Sequence, residues 1–124
     1  MIDWAAYPNF SEHEFKCSHC GKVAMKPEFL QKLQELRVAF RKPIKISSGY
    51  RCPHHPIEAA KISPGAHTTG RAADIAVDGN DAFEILRLAF ALGFTGIGVQ
   101  QKGSGRFIHL DTLTVAPRPN VWSY

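Results

Sequence analysis

The chain has 124 residues, room for one hydrophobic core, and its 44% hydrophobic and 21% charged content is that of a soluble globular protein. Fifteen Lys and Arg against eleven Asp and Glu leave a net charge of +4, but the densest basic group (Arg41, Lys42, Lys45) only brackets a helix end, where cations meet the negative pole of the dipole. With no basic stripe a nucleic-acid binder is not expected, and the most apolar run, Leu86 to Phe94, is broken by Arg87 and far short of the roughly 18 residues of a membrane span.

The first residues, Met1-Ile-Asp-Trp-Ala-Ala-Tyr-Pro, lack the basic and apolar regions of an export signal, so synthesis in the cytoplasm is expected. Ser11-Glu-His-Glu14 reads as a capping box opening a short helical turn. Three cysteines cannot complete a disulfide framework. Cys17-Ser-His-Cys20-Gly21 is a lone CxxC that fits half a structural zinc site, a redox pair or two small residues in a tight turn. A four-ligand site needs two more donors, for which Cys52 and His19 are the candidates; the plain turn is the expectation.

Pro27 sits where a helix begins, and Phe29, Leu30, Leu33, Leu36 and Phe40 recur at helical spacing up to Arg41, with Pro43 stopping it. Ile44-Lys-Ile46 alternates like a short strand, and Ser47 to Arg51 turns out of it. Residues 52–71 lack periodicity and hold Pro53, Pro56, Pro64, Gly65 and Gly70, the make-up of a long ordered loop, which in a small domain usually serves function. Ala72 to Val77 follows as a strand. Asp78 to Asp81 caps a helix running to Leu92, expected to feed Phe83, Leu86, Leu88, Phe90 and Leu92 into the core before Gly93 closes it. Ile97 to Gln101 and Arg106 to Asp111, joined by Lys102-Gly-Ser-Gly105, read as a β-hairpin, and Pro117 to Tyr124 as an irregular tail. The order predicts an α+β fold with a small, mainly antiparallel sheet and flanking helices, in a single domain over residues 1–124.

Three candidate metal ligands fall on elements expected to converge: His67 in the long loop, Asp74 on the next strand and His109 on the last hairpin strand. Two imidazoles and one carboxylate make a normal catalytic zinc set with the fourth position left for water, whose pKa zinc lowers from about 15.7 toward about 7. By spacing alone the pair His67 and Asp74 fits a surface or core feature as well. Asp111, two residues beyond His109, leaves a strand on the same face. It suits either a general base and acid beside the metal or a partner orienting a ligand imidazole, and the catalytic role is the one carried forward. Arg51 offers a guanidinium fork for a substrate carboxylate, or a structural ion pair. His54 and His55 flank prolines and rim a cleft, His55 being taken with Arg51 as a substrate contact. His13 and His19 read as surface residues, Trp4 and Trp122 as pins for the chain ends, and Gly96 and Gly98 as points of close backbone approach.

Five ordered blocks then carry a resemblance: Ser47-Ser-Gly-Tyr-Arg-Cys-Pro-His-His55, His67-Thr-Thr-Gly-Arg-Ala-Ala-Asp-Ile75, Gly93-Phe-Thr-Gly-Ile-Gly98, Phe107-Ile-His-Leu-Asp111, and Arg118 with Trp122. From about Phe10 to Trp122 the chain resembles the M15 family of zinc peptidases, hedgehog-like in fold, and within it the short D-alanyl-D-alanine carboxypeptidase-like branch of phages and prophages. The resemblance implies one catalytic Zn2+ on His67, Asp74 and His109, and Arg51 on a substrate carboxylate. It implies hydrolysis of amide bonds in peptidoglycan stem peptides, as a D,D-carboxypeptidase or an L-alanyl-D-glutamate endopeptidase. A monomer acting on the cell wall after holin release, or as a virion component, follows as the expectation, with a local structural role for the CxxC turn. Three positions depart from the better-studied members. Arg106 stands where they place an acidic residue, leaving Asp111 as the nearest replacement base; Gly65 replaces a Ser and Pro56 an Asn. A non-catalytic, zinc-stabilised wall-binding or phage structural module is the alternative.

Overall fold

The computed structural model describes residues 2–61 and 65–124. Pro64, assigned above to the long loop, lies outside them. Helix α1 spans Pro27–Phe40. Pro27 starts it because a fixed φ suits the first helical position, and Phe29, Leu30, Leu33 and Leu36 form one fully buried face. Arg41 ends it in the left-handed region, its N–H donating to the Arg37 carbonyl. The four-residue helix α2, Pro56–Ala59, and a 3-10 turn at Ala66–Thr69 interrupt what the sequence presents as plain loop. Helix α3, Gly79–Leu92, follows Asp78 and closes at Gly93 with φ 82°.

One expectation for α3 fails. Phe83 and Phe90 are more than 60% exposed, and the buried stripe is Ala82, Ile85 and Ala89. Helices α1 and α3 lie against each other, with the two alanines of that stripe on either side of the fully buried Ile85. The two phenylalanines, seven residues apart and so on one face, are left pointing to solvent. Leu86, Leu88 and Leu92 are partly buried against the core, as is Phe40.

Five strands make one sheet in the order β1-β2-β4-β3-β5: β1 Ile46–Ser48, β2 Ala72–Ala76, β3 Gly96–Gln100, β4 Phe107–Asp111 and β5 Asn120–Ser123. All neighbours are antiparallel except β3 and β5, so the architecture is α+β with a mainly antiparallel sheet. Strand β1 lies two residues beyond the run Ile44–Ile46. Strand β5 corrects the irregular tail: this stretch is exposed and carries no apolar alternation, so only pairing with β3 makes it a strand.

Side-chain alternation gives the sheet two different faces. Ala73 and Ile75 of β2, Ile97 of β3, and Ile108 and Leu110 of β4 join the hydrophobic core with α1 and α3. Asp74, His109 and Asp111 point the other way and are still buried, together with His67. At the start of the chain Trp4 stacks on Phe15, with ring centroids 5.6 Å apart, and so docks that segment on the core. Among the described residues no helix is long and apolar enough to cross a membrane.

Candidate metal centre

Register places two of the three proposed ligands side by side. Asp74 of β2 pairs directly with His109 of β4, which pairs in turn with Gly98 of β3, and Gly98 pairs with Trp122 of β5. The glycines are needed there. A Cβ on Gly98 would lie 2.6 Å from the Trp122 indole nitrogen, and one on Gly96 would collide with the Asp111 carboxylate. His67 arrives from the adjacent 3-10 turn, where Arg51 N–H donates to its carbonyl at 3.3 Å.

The donor atoms form a nearly equilateral triangle. His67 Nε2 to Asp74 Oδ1 is 3.2 Å, His109 Nδ1 to Asp74 Oδ1 is 3.1 Å, and His109 Nδ1 to His67 Nε2 is 3.3 Å. Tetrahedral zinc with ligands at about 2.0–2.1 Å sets its ligand atoms about 3.3 Å apart. The far side of each ring is fixed. His67 Nδ1 is 2.8 Å from the Gly49 carbonyl, which can only accept, so this nitrogen carries the proton and Nε2 is left as a lone pair. His109 Nε2 is 2.7 Å from Asp111 Oδ2, and a proton there frees Nδ1 in the same way. Both rings therefore turn lone pairs toward the Asp74 carboxylate, a donor set suited to a cation. These three side chains are all buried and fit a divalent metal.

Electrostatics agree. Burial favours a neutral carboxyl at Asp74, but the His109 and His67 rings that face it outweigh burial and hold the group well below the usual carboxylate range. Burial likewise disfavours a charged His109, yet Asp111 and Asp74 on either side raise its affinity for a proton. A metal bound there would take the place of that proton, so its uptake would be opposed by acid.

Asp111 is completely buried and lies behind His109, away from the triangle. Arg118 grips it through Nε to Oδ1 at 3.0 Å and Nη2 to Oδ2 at 2.8 Å, and Leu113 N–H adds a third donor. Burial raises its pKa, but His109 and Arg118 overcome this and bring it to about 2. A carboxylate so fully engaged and so placed is an orienting partner of the ligand imidazole. The general-base position expected of it beside the metal is not the one it occupies, because it meets the imidazole nitrogen on the opposite edge.

Arg51 faces a cleft of about 420 Å³ that the three ligands share with Lys61, Phe107, Arg118, Trp122 and Tyr124. Its guanidinium is engaged with two carboxylates, Glu58 Oε2 at 3.3 Å and Asp74 Oδ2 at 3.5 Å, so both readings of this residue find support in its surroundings. His55 does not line that cleft. It accepts the Ile57 N–H at the start of α2 and pairs with Ser18 Oγ at 2.9 Å, apart from Arg51. Glu58 went unnoticed in the sequence. Buried under Arg51, Lys61, Thr68 and the Gly65 N–H, it ties α2 to the His67 turn, and one acid in a four-residue helix gives no signal of burial. Trp122, read as a pin, does dock the tail, and its ring also lies 5.1 Å from that of His109 and beneath the Arg118 guanidinium.

An α+β domain with a buried His-Asp-His triangle on one sheet face, open to a cleft, has the ligand set of a mononuclear metallohydrolase. A family model described as Peptidase M15 matches residues 8–111, and the chain belongs to that family of zinc peptidases. The match includes all three triangle residues and ends at Asp111, so Arg118 and Trp122 lie beyond it. No curated protein matches the chain in sequence.

Proposed function

We propose that this chain is a zinc metallopeptidase hydrolysing amide bonds in peptidoglycan stem peptides, as a D,D-carboxypeptidase or an L-alanyl-D-glutamate endopeptidase, in phage or prophage wall lysis. The observation that carries it is the 3.1–3.3 Å triangle of His67, Asp74 and His109 donors, each imidazole anchored at its other nitrogen. Zinc held there supplies a Lewis acid and a water acidic enough to be a nucleophile near neutral pH.

The rest is the work of the chain's own residues. Gly49 and Asp111 keep the two imidazoles in the ligating tautomers, and Arg118 fixes Asp111. Arg51, Lys61 and Arg118 make the cleft cationic, which suits a substrate class rich in carboxylates. Of the three, Lys61 is the most exposed, with 42% of its side chain open, and stands ready to meet a substrate carboxylate along with the edge of Arg51. Lys61 and Tyr124 are the titratable side chains at the cleft, besides the candidate ligands and the two arginines, among the described residues.

Purified wall digested by the wild type, with mass spectrometry of the muropeptides, tests the reading, because the mass lost names the bond. Loss of a terminal alanine marks the carboxypeptidase, and scission inside the stem marks the endopeptidase. Digestion that persists both in chelator and in His67→Ala would refute the metal mechanism.

One observation favours a second reading, a zinc-stabilised wall-binding or phage structural module with weak or no catalysis. Among the described residues, Asp74 is the only carboxylate lining the cleft, and it belongs to the triangle. Wild type that holds zinc, sediments with wall and releases no fragment would establish that reading.

A further inference from the structure

We propose a second metal site, separate from the cleft, in which Cys17, Cys20 and Cys52 hold a structural zinc ion as thiolates. One sulfur from each lies within 4.8 Å of the other two, and tetrahedral zinc at about 2.3 Å from sulfur asks for spacings of about 3.8 Å. A small inward movement closes the set.

The local backbone is built for this. Cys17 and Cys20 sit on a tight turn closed by Gly21 N–H to the Cys17 carbonyl at 2.8 Å and by Cys17 N–H to the Lys22 carbonyl at 2.9 Å. Gly21 takes φ 74°, a conformation that side chains resist and that folds the second thiol back toward the first. From the other segment Cys52 donates its N–H to Cys17 Sγ at 3.3 Å, a donor suited to a sulfur that carries negative charge. All three thiols are free. A disulfide would use two and strand the third beside them, whereas a thiophilic ion uses all three. Cys20 and Cys52 line a concavity with His19 and His54, which leaves water or a small adjustment of one imidazole to supply a fourth ligand.

The site joins residues 17–21 to the segment 49–52. Those same residues carry the Gly49 carbonyl that fixes His67 and the Arg51 that meets Asp74. Just before the turn, Tyr50 N–H donates to the Phe15 carbonyl at 3.0 Å and holds the same two stretches of chain together. Zinc at the cysteines therefore stiffens the wall of the cleft without touching substrate.

Metal analysis of the full chain tests this independently of any hydrolysis. Wild type is expected to hold two zinc ions, and His67→Ala and Cys20→Ser one each. With cobalt(II) in place of zinc, His67→Ala keeps the near-ultraviolet thiolate-to-cobalt charge-transfer band, and Cys20→Ser loses it. Unchanged metal content in Cys20→Ser, or a disulfide between any two of the cysteines in freshly purified protein, overturns the proposal. Should Cys20→Ser fail to fold, the cobalt spectrum of His67→Ala decides alone, and absence of the band overturns it.

Discussion

His109 is held from both sides by carboxylates: Asp111 Oδ2 is 2.7 Å from its Nε2, and Asp74 Oδ1 is 3.1 Å from its Nδ1. The first fixes the ring and the second faces its free nitrogen across the candidate metal position.

Asp111→Asn should therefore weaken zinc binding by about 10–100-fold, the usual effect of losing an orienting carboxylate. Competition with a chromophoric chelator measures it. An unchanged affinity would show that the hydrogen bond does not set the tautomer. Asp111→Ala should cost more in stability, about 3–5 kcal/mol, because Arg118 is left as a largely buried charge without its partner.

Acid should loosen the wall of the cleft through Glu58. Burial opposes ionisation there, but the Gly65 N–H, Lys61 and Arg51 prevail and lower its pKa from 4.5 to about 2. With the folded value below the unfolded one, its contribution is complete above about 4.5 and disappears as pH falls toward about 2. Thermal unfolding of metal-free protein across that range should show a steeper loss of Tm for the wild type than for Glu58→Gln. Parallel curves would remove Glu58 from the account.

Gly98→Ala should undock the tail. The new methyl takes the space of the Trp122 ring, and overpacking of this kind costs about 1–3 kcal/mol. Hydrogen exchange at 120–123 should rise to that of an open strand, with the β2–β4 pairing still protected. Uniform exchange throughout the sheet would mean that Trp122 is not what holds β5.

The double substitution Phe83→Glu with Phe90→Glu should change stability by no more than about 0.5 kcal/mol, as surface changes do. Phe29→Ala, by contrast, should cost about 3–5 kcal/mol. Urea unfolding distinguishes the two, and a large loss in the double variant would put those rings back in the core.

Helix α1 was legible because Pro27 and its run of large apolar residues carry one message at one period. For α3 the ends were legible in Asp78 and Gly93, but the face was not. Its buried stripe is Ala82, Ile85 and Ala89, and the aromatics that dominate a hydrophobicity reading are those left outside. Strand β5 had no local signature at all, since pairing to β3 defines it. Alternation rightly put Asp111 on the side of His109, but which imidazole nitrogen it meets depends on ring rotation and on Arg118 from the tail. The order of the elements suggested that His67, Asp74 and His109 converge and the ordered blocks carried the reading, because residues 42 positions apart meet by sheet register and a loop turn, neither of which leaves a periodic trace.

The indole beside His109 gives the molecule a built-in optical gauge. The chain has only two tryptophans, and Trp4 stacks on Phe15, away from the His109 ring. In Trp4→Phe protein, emission comes from Trp122 alone, beside the ring of the candidate ligand His109 and an arginine cation. Loading of the centre, protonation of its imidazole and release of the C-terminal strand can each be followed by light, with no label attached and no substrate in hand.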